Sequence, residues 1–339
     1  MKKSFGILPN GSEAFLYTIS CGEITASVTN YGASLVSLMV PDRHGICADV
    51  VLGFSDVNGY RTEGGCLGAT VGRSANRLKG ACFTLGDQTW HLAANENGNN
   101  LHSGPDAWYQ RLWEVSGEYT DSVTFSLHSP DGDQGYPGKA EVTVTYALDS
   151  QAGLHILYDA VSDQDTVFNM TNHSYFNLAG HDRPEKAMDQ ILTLPALWFN
   201  PDDRENIPTG EKRSVEGTPM DFRVPKALRR DLELPYEPLV FQGGYDHNFD
   251  ASANPCAILT DPQSGRTLQV STDCPGIQLY TGNYLDAHGK DGVYYGKRSG
   301  VALETQFAPD SLHHPQWPQP VVKAGQPYHS ETVFRFRSI

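Results

Sequence analysis

The chain has 339 residues, enough to bury a sizeable core, and its 25 Lys and Arg against 40 Asp and Glu give a formal net charge of −15. So acidic a surface repels phosphate backbones and anionic lipid, which argues against nucleic-acid and membrane partners and leaves a neutral small molecule unaffected. With 33 Gly, 21 Pro and only 19% charged residues, the composition suits many turns between short strands rather than long helices.

Met1 to Asn10 carries two lysines but no adequate apolar run before Pro9, so it does not read as a signal peptide, and no segment approaches membrane-spanning length. Ile24, Ala26 and Val28 alternate with polar neighbours. The apolar run from Leu35 to Val40 stops at a turn, Pro41-Asp42-Arg43-His44-Gly45. A short helix near 55–60 is weakly indicated. Val123, Phe125 and Leu127 alternate; Val142, Val144, Tyr146 and Leu148 do so again. After a loop at 149–153 the pattern resumes in Leu154, Ile156, Tyr158 and Ala160, so this pair predicts a hairpin. The 182–245 stretch, rich in Pro, Asp and Glu, reads as long loops packed on the body through Trp198, Phe199, Phe222, Leu239 and Phe241, with one further weak helix near 225–232. Ala257 and Leu259, the turn at 261–265, then Leu268 and Val270 predict a second hairpin. Thr332 to Phe336 reads as a closing strand. The sum is an all-β chain, a large antiparallel β-sandwich with a few short helices. The six cysteines (Cys21, Cys47, Cys66, Cys82, Cys256, Cys274) form no C-x-x-C pair and read as free, mostly buried thiols of a reducing, cytoplasmic compartment.

Four places hold polar residues out of step with their surroundings. Gly72-Arg73-Ser74-Ala75-Asn76-Arg77 could bind sugar hydroxyls or a carboxylate, or be a plain surface turn; no Gly-Lys-Ser/Thr makes it a phosphate loop. Asn95 to Gly104 is a turn-rich loop whose His102 is either a donor to a substrate or an ordinary loop histidine. Phe168-Asn169-Met170-Thr171-Asn172-His173-Ser174-Tyr175-Phe176-Asn177 places His173 in an apolar, amide-rich strand. There it is either a general acid–base group or a satisfied core histidine. Asp246 follows the flexible Gly243-Gly244-Tyr245. Glu304 sits inside the apolar strand Val301 to Phe307, where a carboxylate is costly unless paired or used. There is no His-Glu-x-x-His and no regular Cys/His spacing for a metal, no Rossmann glycine motif and no Gly-x-Ser-x-Gly elbow.

Taken in order, these stretches together with Ile277-Gln278-Leu279-Tyr280-Thr281-Gly282-Asn283, Asp131 to Gly138 and His314-Pro315-Gln316-Trp317-Pro318 resemble the aldose 1-epimerase (galactose mutarotase) family over nearly the whole chain. The resemblance implies a β-supersandwich built as a single domain, 1–339, that acts on a free aldohexose without a metal or other cofactor. It implies Glu304 as catalytic base and His173 as general acid, with Asn76, Arg77, His102, Tyr175, Asp246 and Gln278 as sugar-binding positions. Ser103 stands where the family often has Gly, and Ser74 where a small apolar residue is common.

Mutarotation requires the anomeric hydroxyl to lose a proton while the ring oxygen gains one. The ring then opens, the C1–C2 bond rotates and closure follows on the other face. One base and one acid suffice, each contributing roughly 10²–10⁴-fold. A nearby carboxylate is expected to hold His173 protonated near neutral pH, His102 and Arg77 to orient the sugar, and Tyr175 or Phe222 to floor the pocket. Three rivals remain open on sequence. A glycoside hydrolase would use the Asp246 and Glu304 carboxylates. A hexose-6-phosphate epimerase would need Arg73 and Arg77 for its phosphate. A non-catalytic sugar binder would not need both Glu304 and His173.

Overall fold

The computed structural model describes all residues, 1–339. Alternation does what it predicts. In Ala140–Leu148 the residues Val142, Val144, Tyr146 and Leu148 are buried between half-exposed neighbours, and the strand pairs antiparallel with Gly153–Ser162. The second hairpin joins Ala257–Thr260 to Arg266–Thr272. These strands belong to a nine-stranded sheet. Its order is Glu114–Glu118, Ser122–Ser129, Ala140–Leu148, Gly153–Ser162, Pro327–Ser338, Arg266–Thr272, Ala257–Thr260, Ile191–Thr193 and Lys226–Ala227. A five-stranded meander (Lys2–Ile7, Glu13–Cys21, Ile24–Thr29, Ser34–Pro41, Cys47–Asp49) packs on it. A six-stranded sheet runs Tyr175–Phe176, Val301–Gln306, Gly276–Tyr280, Asp246–Asp250, Trp198–Phe199 and Arg213–Ser214.

Each sheet contributes its apolar face to one core of 55 buried residues. Tyr17 of the meander meets Phe125 of the nine-stranded sheet edge-on at 5.6 Å, and Phe176 of the six-stranded sheet meets Phe334 at 5.0 Å. The two α-helices are one and a half turns each, Val57–Thr62 and Glu237–Gln242. The first starts two residues later than the weak signal, capped by Asp56, whose side chain accepts from the Asn58 and Gly59 amides. Near 225–232 there is only a 3₁₀ turn, Leu228–Arg230. No helix is long and apolar enough to cross a membrane.

One expectation is extended and one needs correction. The closing strand at Thr332 to Phe336 is present but longer, Pro327–Ser338, and it lies in the middle of its sheet, hydrogen-bonded to Gly153–Ser162 on one side and Arg266–Thr272 on the other. The cysteines are all unpaired, but only Cys256 and Cys274 are buried; Cys47 is exposed and the rest are half-buried. The 182–245 stretch does pack on the body through Phe199, Phe222 and Leu239, whereas Trp198 and Phe241 stay partly exposed.

Because Phe334 joins two sheets from a central strand, Phe334→Ala should cost about 3–5 kcal/mol of stability, read as a lower urea midpoint at unchanged slope.

Candidate active site

Pairing register sorts the six-stranded sheet into two chemically different faces. Gln278 lies opposite Glu304 and Asn248, and Tyr280 opposite Ala302 and Asp246, so these side chains share one face. The intervening Leu303, Leu279, Ile277 and Phe249 point the other way, into the core. A polar face on a buried sheet must be covered or used, and here it floors a cavity.

His173 reaches that cavity through a change of partner. Thr171–His173 pairs with Ala69–Val71, and after Ser174 the chain pairs with Ala302 and Val301 instead. Tyr175 is opposite Ala302, so continuing the register by two residues brings His173 across from Glu304. The His173 Nε2 to Glu304 Oε2 distance is 3.7 Å. Asn172 fixes the crossover: its Oδ1 accepts from the Ser174 amide and hydroxyl, and its Nδ2 donates to the Gly68 carbonyl and the Tyr146 hydroxyl.

The cavity measures about 230 Å³ and is lined by Asn76, Arg77, His102, His173, Tyr175, Asp246 and Glu304, among others. That is below the roughly 300–1,000 Å³ of drug-sized ligand sites and suits one small ring. The Tyr175 ring packs 4.9 Å from His173, with Tyr280 edge-on to both. Asp246 is held at both oxygens, by Asn206 Nδ2 at 2.6 Å and Gln278 Nε2 at 2.8 Å. Arg77 forms a bidentate pair with Glu96, its Nη2 donating at 2.9 Å.

Glu304 Oε2 and His173 Nδ1 are buried without any hydrogen-bond partner. In a folded chain such atoms call for an explanation, and a ligand's hydroxyls would supply the missing bonds. Burial pushes the Glu304 carboxyl well above the ordinary carboxylate range, helped by the Asp246 charge and opposed by Arg77. Burial also pushes His173 down to about 4. So the expectation that a neighbouring carboxylate holds His173 protonated fails in the free site. Both groups prefer their neutral forms there, with the one proton of the pair on Glu304. His102 is likewise driven to neutrality by burial, by His173 and by Arg77. His102, His173 and Glu304 bring ligand-type atoms within 4.8 Å of one another, as a metal site would. The His102 Nδ1, however, already accepts a hydrogen bond from the Asn76 amide at 3.1 Å.

The family model for aldose 1-epimerase matches residues 16–335. The chain belongs to the aldose 1-epimerase family. It is 40% identical to the galactose mutarotase of Mus musculus over 98% of this chain and 97% of that protein, and 38% identical to the aldose 1-epimerase of Haemophilus influenzae over 91% of each. The solved aldose epimerase homologue from C. elegans superposes with a TM-score of 0.87 at 30% identity, covering 96% of this chain and 99% of that one.

Of the positions carried over from the aldose 1-epimerase pattern, seven line the cavity: Asn76, Arg77, His102, His173, Tyr175, Asp246 and Glu304. Gln278 does not. It shares the polar face but sits behind Asp246 as that carboxylate's donor. Phe222 floors nothing; it packs in the core against Tyr245 at 5.0 Å. Arg73, in the same motif as Arg77, is fully buried elsewhere and donates to the Pro137 and Gly138 carbonyls, Thr166 and Ser129. Asp131 to Gly138 is therefore an arginine cradle. Asn169 ties both side-chain ends to the Phe307 backbone. Four participants were not singled out from sequence. Tyr284 and Cys66 line the cavity, Asn206 holds Asp246, and Asp202 adds a second acid whose pKa is raised by burial and then by Asp246. Only tertiary contact reveals them, although Tyr280, another wall, lies in a motif already noted. The Cys66 thiol is pushed up to about 11 by burial, which leaves it a poor nucleophile. A wider depression of about 550 Å³ under the 217–234 loop is less informative: its buried Lys226 is already bound to Asp231 at 2.6 Å.

A carboxyl whose folded pKa is raised contributes stability that is complete below its unfolded pKa and is lost as pH rises through the folded value. Gln mimics the neutral form at every pH. Glu304→Gln should therefore melt at a higher temperature than the wild type in alkaline buffer, with the gap closing toward pH 4, in paired thermal scans.

Proposed function

We propose that this protein is a mutarotase, interconverting the α and β anomers of free aldohexoses such as galactose and glucose by acid–base ring opening and closure, with the chain 1–339 acting as one domain. The observation that carries this reading is the buried, unpartnered His173–Glu304 pair, 3.7 Å apart, in a ring-sized cavity. The 40% identity to a galactose mutarotase supports the choice of sugar. The six unpaired cysteines fit a reducing, cytoplasmic setting.

Glu304, as carboxylate, takes the anomeric proton, and His173, as imidazolium, gives its proton to the ring oxygen. The C1–O5 bond breaks and the anomeric oxygen becomes the aldehyde oxygen. The pair ends as neutral carboxyl and neutral imidazole with its proton count unchanged, and closure on the other face reverses each transfer. Ring opening thus removes two charges from a buried site, and closure restores them. A bound sugar makes the charged start accessible, because its anomeric hydroxyl donates to Glu304 and its ring oxygen accepts from His173. Asp246 and Arg77 grip distal hydroxyls, so the aldehyde rotates without leaving.

The rival chemistries fit less well. Arg77 is the one arginine or lysine lining the cavity and is engaged by Glu96, while Arg73 is out of reach, so a sugar phosphate finds no free cation. Both Asp246 oxygens are already acceptors, which suits hydroxyl binding better than the acid role of a glycosidase.

Optical rotation of freshly dissolved α-D-galactose and α-D-glucose should relax faster with enzyme than without. Glu304→Gln and His173→Asn, still folded, should each lose about 10²–10⁴-fold. Acceleration of a hexose 6-phosphate alone, or of neither, would overturn the reading. The pH profile of kcat/KM should be a plateau. Its acid limb falls near pH 4, where His173 takes a second proton and no base remains. Its alkaline limb, where the pair's last proton leaves and no acid remains, lies well above the ordinary carboxylate range.

A further inference from the structure

His102 sits in an unusual backbone run. His102, Ser103 and Gly104 have φ of 51°, 68° and 90°, so two non-glycine residues in succession occupy the left-handed region. Each such residue is strained, and a run of them persists only where the surroundings fix it. Here the fixing is specific. Ser103 is 1% exposed, and its hydroxyl accepts from the Ser74 amide at 2.7 Å and donates to the Ser74 carbonyl at 2.9 Å. One turn of chain further, the His102 amide donates to the Asn76 carbonyl at 3.0 Å, and the Asn76 amide donates to His102 Nδ1 at 3.1 Å. Asn76 is itself left-handed, with φ 59°. Leu101 and Arg77 complete the ladder as a strand pair.

An amide can donate only to an imidazole nitrogen that lacks a hydrogen. With Nδ1 engaged in this way, the neutral ring carries its hydrogen on Nε2. We infer that Ser103 is a positioning residue of this site, its hydroxyl clamping the His102 loop to Ser74 so that the Asn76 amide holds His102 as an Nε2–H donor. The donor's role toward the sugar rests on the mutarotase reading; the tautomer and the clamp do not. Ser103 touches no substrate. It acts through His102, and its hydroxyl, not the backbone conformation it adopts, is the necessary part.

Two substitutions separate those contributions. Ser103→Gly removes the hydroxyl and relieves the backbone strain; Ser103→Ala removes the hydroxyl and keeps the strain. The full-length protein with ¹⁵N-labelled histidine, using His102→Asn to assign the signal, reports the tautomer in the sugar-free state. Wild type should show one acceptor-type Nδ1 and one protonated Nε2 for His102. Both Ser103 variants should shift toward a tautomer mixture, with kcat for galactose mutarotation down about tenfold, the equivalent of one lost buried hydrogen bond, and KM changed less. Should Ser103→Ala not fold, Ser103→Gly decides alone. A wild-type His102 protonated on Nδ1, or a Ser103→Gly protein with wild-type tautomer and kcat, overturns the inference. A clamped tautomer in a protein with no mutarotase activity would uphold the clamp and overturn only the assigned reaction.

Discussion

An imidazole and a carboxyl 3.7 Å apart, both buried, hold one proton comfortably, but neither two nor none. Two protons leave an unpaired cation and none leaves an unpaired anion, and burial penalises either. Between those limits the single proton has two places to sit, with charge separated in one and absent in the other. Most of what surrounds the pair keeps that choice available. The polar face of the six-stranded sheet carries Glu304 on its second strand, the partner change after Ser174 carries His173, and Tyr175 and Tyr280 pack their rings against the imidazole. A salt bridge made for stability would look different, with its atoms in contact and their remaining valences filled. These atoms are neither.

Holding such a pair requires a rigid frame, and much of the polar sequence near the site serves the frame. Arg73, the first of the two arginines in its motif, spends its hydrogen bonds on carbonyls and hydroxyls that join segments far apart in the chain. Asn169 and Asn172 staple backbone to backbone on either side of the acid–base histidine. Gln278 and Asn206 fix the orientation of Asp246. Removing any of these leaves a buried polar partner unsatisfied, so they are constrained almost as tightly as the groups that face the cavity.

The division of labour explains what was legible in the sequence. Alternation is a property of a single strand, so the strands around Val142–Leu148 and Leu154–Ala160 and the hairpin turn at 261–265 could be read directly. Where a strand lies in its sheet is a property of distant partners, and the central place of the last strand could not be read. Glu304 stood out because a carboxyl in an apolar run needs a reason. In the stretch Asn169 to Asn177 every polar residue looked equally available, and only the crossover at Ser174 decides that His173 and Tyr175 face the cavity while the asparagines face backbone. Arg73 and Arg77 looked alike for the same reason. Gln278 shares the polar face with Glu304 but donates to Asp246 from behind it, a depth that strand periodicity does not encode. Asp202 and Asn206 come from the long 182–245 excursion, whose irregular backbone has no period to read.

The middle of the nine-stranded sheet is formed by residues 327–338, which leave the ribosome after all its other strands. Until they arrive, Gly153–Ser162 and Arg266–Thr272 each present a bare row of amides and carbonyls to solvent, the kind of edge that pairs with other chains. Early segments can collapse, but the sheet cannot become continuous from the N-terminus onward as synthesis proceeds. For this protein the hazardous interval is therefore the whole of elongation past residue 153.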